Sequence, residues 1–121
     1  MKKIILLALI LSCFAFAQEK RAKISFKKDV MPIFTKKCMS CHNTEDGSLS
    51  NLYLDDYAQL MKGESRHGPV VIKGEGEKSI LVKKLRGTAE FGKPMPRGRK
   101  PLDEEMIDVI SKWIDQGAKD N

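Results

Sequence analysis

The residues best suited to chemistry are Cys38, Cys41 and His42, in the run Lys37-Cys38-Met39-Ser40-Cys41-His42. Two thiols at this spacing, followed directly by an imidazole, make the C-x-x-C-H pattern of haem c attachment. Each thiol can add to one vinyl group, forming two thioether bonds, and His42 then offers a ring nitrogen to the iron. Paired cysteines have other uses. A zinc site needs two further ligands; the remaining candidates are Cys13 and His67, and Cys13 falls in a segment that reads as a leader. A thioredoxin-like pair needs a βαβ setting, and no run of buried strands is written near Cys38. Two small core cysteines would leave the adjacent histidine without a role.

The partner on the other side of the iron decides the chemistry. A methionine thioether raises the reduction potential and closes the iron to small molecules, a histidine lowers the potential, and an empty position admits gases or peroxide. Met95 is the favoured candidate. It lies in Gly92-Lys93-Pro94-Met95-Pro96-Arg97-Gly98-Arg99-Lys100-Pro101, where prolines and glycines forbid a continuing helix or a sheet interior. Each residue before a proline is pushed toward extended geometry, Met95 included. Met39 is inside the attachment motif and cannot reach round. Met31 and Met106 fall on helix faces where methionine is ordinary core filler, and Met61 ends a short helix. His67 is the main rival, although a lone loop histidine beside glycine and proline is usually just solvated.

The elements that must hold these residues read as helices. Ser25 or Asp29 can cap the first, with Asp29 preferred because it puts Pro32 in the first turn; Val30, Ile33, Phe34 and Cys38 then follow at helical spacing. Residues 43–51 are a polar loop, and Leu49, Leu52 and Leu54 cover the haem edge or the core. Asp55-Asp56 opens a short helix through Tyr57, Leu60 and Met61, closed by Gly63. A loop carries His67, Val70-Val71-Ile72 is extended, and Gly74 and Gly76 mark a turn. Glu77 or Lys78 begins a helix that ends near Gly87. Asp103 caps a last helix whose buried face is Met106, Ile107, Ile110, Trp113 and Ile114, and Gly117 stops it. The fold class is all-α, three to four short helices and ordered loops with almost no sheet. A chain this small has a thin apolar core, and a buried haem would supply the missing apolar mass.

Residues 1–17 read as a cleaved signal peptide: Lys2 and Lys3, an apolar run over residues 4–11, then Ala15-Phe16-Ala17. Residues 18–24 are a polar lead-in and 25–121 the folded domain. Leu11-Ser12-Cys13 partly resembles a lipoprotein processing site, so lipid anchoring through Cys13 is the alternative to soluble export into the periplasm. The formal charge of +6 drops by two with the leader. That excess can steer a protein toward acidic partners, but no basic stripe interleaved with aromatics argues for nucleic acid.

Taken in order, Asp29-Val-Met-Pro-Ile-Phe, Cys38-x-x-Cys-His, Gly74-Glu-Gly-Glu-Lys-Ser-Ile-Leu, Met95-Pro and Trp113-Ile-Asp-Gln-Gly-Ala resemble the monohaem class I c-type cytochromes. The chain is most similar to the planctomycete-type cytochrome c domain of exported bacterial proteins. The resemblance implies a helical cytochrome c-like fold, one covalent haem c on Cys38 and Cys41, axial iron ligands His42 and Met95, and first helix packed against last. Lys73 departs from the proline often found before the glycine turn.

The expectation is a one-electron carrier and not an enzyme, with redox protein partners. Lys36, Lys37, Lys93, Arg97, Arg99 and Lys100 form a candidate basic rim for acidic docking surfaces, against the plainer reading of solvated surface charge. The alternatives are a haem c sensor or small peroxidase-like protein with a labile distal ligand, and a haem-free CxxC redox module.

Overall fold

The chain turns helical at Phe26 because Ser25 caps it: the Ser25 hydroxyl accepts the Lys28 N–H at 3.1 Å, and Asp29 reaches back to accept the Ser25 N–H at 2.7 Å. Ser25, not Asp29, is therefore the cap. The first turn, Phe26–Val30, is π-helical and runs directly into α1, Met31–Lys37. Its physical reason is Pro32. In a continuous α-helix, residue 32 would donate to the carbonyl of residue 28, and proline has no N–H to give. The wider turn absorbs the missing bond and leaves Pro32 in the first turn of α1. The computed structural model describes residues 22–46, 48 and 50–121. The leader, Cys13, most of the lead-in and Leu49 thus lie outside the described residues.

α2, Tyr57–Lys62, is capped by Asp56, whose carboxylate accepts the Gln59 N–H at 2.8 Å. A minimal antiparallel hairpin follows, β1 Glu64–Ser65 paired with β2 Gly68–Pro69, in place of the plain loop expected around His67. α3, Ile80–Arg86, starts after Ser79 and not at Glu77. Ser79 is fully buried; its hydroxyl accepts the Ile72 N–H at 2.8 Å and donates to the Glu75 carbonyl, so it serves the preceding turn. Gly87 ends α3 in the left-handed region, φ 72°, with the Thr88 N–H returning to the Lys83 carbonyl. α4, Glu104–Asp115, follows Asp103, and Gly117 at φ 101° turns the chain away.

These elements pack around one apolar cluster. Phe26 stacks on Trp113 with ring centroids 5.0 Å apart and meets the edges of Tyr57 and Phe34. Ile107, Ile110 and Ile114 of α4 are buried as expected, while Met106 is only half-buried at its edge. The described ends are stitched together. Asn121 accepts the Phe26 N–H through its side chain and the Lys27 N–H through its backbone, and Gln116 accepts the Ile24 N–H. The glycine turn closes onto α4: the Gly74 N–H donates to the Ile114 carbonyl and the Gly76 N–H to the Asp115 carboxylate at 2.7 Å. A Cβ at Gly76 would collide with the Ser111 carbonyl, so only glycine lets the turn approach. The result is a small helical fold with a two-stranded minor sheet, as the hydrophobic periodicity requires.

Candidate haem centre

α1 ends at Cys38, whose N–H closes on the Phe34 carbonyl at 2.8 Å. The next turn folds back on itself, with the N–H groups of Cys41 and His42 both 3.1 Å from the Cys38 carbonyl. One hydrogen-bonded turn therefore gathers three of the four expected site residues. Both cysteines are free thiols; Cys41 is exposed and Cys38 is half-buried against the core. Burial, and secondarily the neighbouring Cys41, pushes the Cys38 thiol up to about 11. A dithiol redox motif works through a thiol lowered toward neutrality, which Cys38 is not.

The imidazole of His42 is oriented by groups that sequence reasoning missed. Its Nδ1 lies 3.1 Å from the Leu52 carbonyl oxygen and 3.2 Å from the Ser48 hydroxyl. A carbonyl only accepts, so Nδ1 carries the proton and Nε2 keeps its lone pair for a metal. Such an orienting bond is what a ligating histidine requires. The loop between is closed at its base: the Leu54 N–H donates to the His42 carbonyl at 3.0 Å, and the Asp55 carboxylate accepts both the N–H and the hydroxyl of Thr44. Those Thr44 bonds hold the Asp55 carboxyl below the usual range, chiefly through the backbone N–H. A backbone carbonyl leaves no signature in sequence; only the serines of the loop hinted at a partner.

Met95 comes from a different segment. It is half-buried against the same apolar core as Cys38, its N–H donating to the Lys84 carbonyl at 2.9 Å. Met31, Met39, Met61 and Met106 are also half-buried against that core, so packing alone does not separate them from Met95. His67 is exposed and stacks on Phe91, ring centroids 3.7 Å apart at 13°. Lys93, Arg97, Arg99 and Lys100 are exposed, as is Lys36, whereas Lys37 is half-buried; Lys100 faces Asp103 at 3.9 Å. Among the described residues, no three His, Cys, Asp or Glu side chains gather as a protein-only metal site. A groove lined by Lys23, Trp113 and Asn121 lies where the ends of the fold meet and includes none of the expected site residues.

The donor set fits a covalent haem c: two free thiols in one turn, an imidazole whose Nδ1 is engaged by a backbone carbonyl, and a thioether on a separate loop. Residues 38–97 match the family described as Planctomycete cytochrome C. The fold is similar to part of the Kuenenia stuttgartiensis hydrazine synthase, with TM-score 0.54 and 25% identity. The match covers 84% of this chain and 17% of that one, so the chain corresponds to a small part of the larger protein. No curated protein matches the sequence. Residues 38–97 are thus similar to the planctomycete-type cytochrome c, and the helical frame that carries them is similar to a part of that larger protein.

Proposed function

We propose that the protein is an exported one-electron carrier that holds a single haem c through Cys38 and Cys41, with His42 and Met95 as axial ligands. The observation that carries this reading is the His42–Leu52 bond, which engages Nδ1 and leaves Nε2 for the iron, in the same turn as two unpaired thiols. When bound, haem c would supply reversible one-electron exchange, with His42 and Met95 the residues that would hold its iron. The chain's part is to anchor, orient and exclude water. The turn at Cys38 presents the thiols, the Leu52 carbonyl fixes the imidazole, and the apolar core cluster keeps the surroundings dry. An iron held from both sides in either oxidation state would have little to rearrange when charge changes, which favours transfer over substrate chemistry.

The exposed Lys93, Arg97, Arg99 and Lys100 flank the Met95 segment and would meet an acidic redox partner through a small polar contact. Export by a leader in residues 1–17 places that exchange in the periplasm, with a Cys13 lipid anchor as the other route to the same side of the membrane. Two measurements test the reading. Haem staining after denaturing electrophoresis should stay with the polypeptide, since thioether bonds survive. Carbon monoxide added to the reduced protein should bind slowly or not at all; prompt stoichiometric binding would mean an open iron and a sensor or peroxidase-like role.

A further inference from the structure

Lys84 lies in the last turn of α3, where a lysine ordinarily reaches for its own helix's carbonyls or for solvent. It does neither. Its ammonium donates to the carbonyls of Phe91 and of Lys93, the latter at 3.2 Å, and stands 4.5 Å from the centroid of the Phe91 ring. Its backbone carbonyl accepts the Met95 N–H at 2.9 Å. Gly92, between the two bonded carbonyls, has φ 62°, and a Cβ there would come within 2.7 Å of the ammonium. One residue thus grips the segment 91–95 at three points.

The segment needs such an outside donor. Pro94 and Pro96 have no N–H, so the backbone around Met95 can build no ladder of its own. Charge-assisted bonds from an ammonium are stronger than neutral ones, and two of them converge on carbonyls that flank Gly92. Phe91 is also fixed from the hairpin by the His67 stack.

We propose that Lys84 is the positioning residue for Met95: it holds the distal-ligand segment in the shape that presents the thioether. This rests on the reading of Met95 as an iron ligand. A thioether is a weak, neutral ligand, so its retention depends on a segment already in place.

The test uses the haem-loaded protein and three variants. Lys84→Met keeps the stem and removes the donors, Lys84→Gln is a milder change should the first fail to fold, and Lys84→Arg keeps charge and donors. The far-red sulfur-to-iron absorption band and far-UV circular dichroism are followed through a thermal ramp, and hydrogen exchange is read over residues 91–95. In Lys84→Met or Lys84→Gln the band should bleach well below global unfolding, and segment amides should exchange about tenfold faster or more. Lys84→Arg should restore both. Band loss that coincides with unfolding as in the parent, together with unchanged exchange, would overturn the proposal. A Met95→Ala control separates the two claims. If the band survives it, the ligand assignment fails, and exchange over 91–95 still decides whether Lys84 orders the segment.

Discussion

The Nδ1 of His42 stands 3.1 Å from the carbonyl oxygen of Leu52, an acceptor that engages this nitrogen of the ring. The Ser48 hydroxyl, 3.2 Å from the same atom, is a secondary partner. Ser48→Ala should therefore leave the visible and far-red bands of the loaded protein in place and cost less than about 1 kcal/mol of stability. Loss of the sulfur band in that variant would show that the serine, not the backbone carbonyl, orients the ring.

Phe26 joins the first helical segment to the last through its stack on Trp113, and to α2 through its contact with Tyr57. It is 3% exposed, so truncation opens a cavity that the surrounding helices can only partly collapse. Phe26→Ala should destabilise the protein by about 3–5 kcal/mol in chemical denaturation. A loss under about 1 kcal/mol would mean that the two ends of the fold are held by the Asn121 and Gln116 bonds instead.

Arg86 draws Glu77, Asp108 and Glu104 together between α3 and α4, and Ser111 also donates to Glu77. Hydrogen bonds from Arg86, the leading cause in each case, hold the carboxyls of Glu77 and Asp108 below their ordinary values of 4.5 and 3.8. Because the folded values are the lower ones, this stabilisation is complete above the unfolded values and disappears as pH falls through the folded ones. The melting temperature should drop as the pH is lowered below about 4, and Arg86→Ala should flatten that limb. An acid limb equally steep in the variant would assign it to other carboxylates.

Gly76 donates to Asp115 across an interface too close for a side chain. Gly76→Ala should cost about 1–3 kcal/mol through overpacking against α4, with its φ playing no part. Unchanged thermal stability would mean that the turn can retreat from Ser111 without penalty.

Much of this was legible in residue types. The stripe of Ile107, Ile110, Trp113 and Ile114 defines α4, Gly87 and Gly117 supply the left-handed residues that end helices, and the cysteine-histidine run forms the single turn that its spacing suggests. Other features depend on pairings that no local pattern encodes. Asp29 looks like a cap, yet it serves Ser25 from within the helix. Lys84 looks like a solvated helical lysine, and its role appears only once the chain returns with Phe91 to Met95. The Leu52 carbonyl would be the same atom with any side chain at that position.

Electron exchange with an acidic redox partner should slow as salt is raised, because the charges of Lys93, Arg97, Arg99 and Lys100 are exposed and screened within about a Debye length. Arg97→Glu with Arg99→Glu should slow it further at low salt and erase the salt dependence. Identical rates across the salt series would make these residues plain surface charge.

The most direct test is the absorption spectrum, oxidised and reduced, of protein matured where haem c can be attached. The account predicts the spectrum of a low-spin haem c with a far-red sulfur-to-iron band that Met95→Ala abolishes. A colourless yet folded protein, or a sulfur band untouched by that substitution, would contradict it.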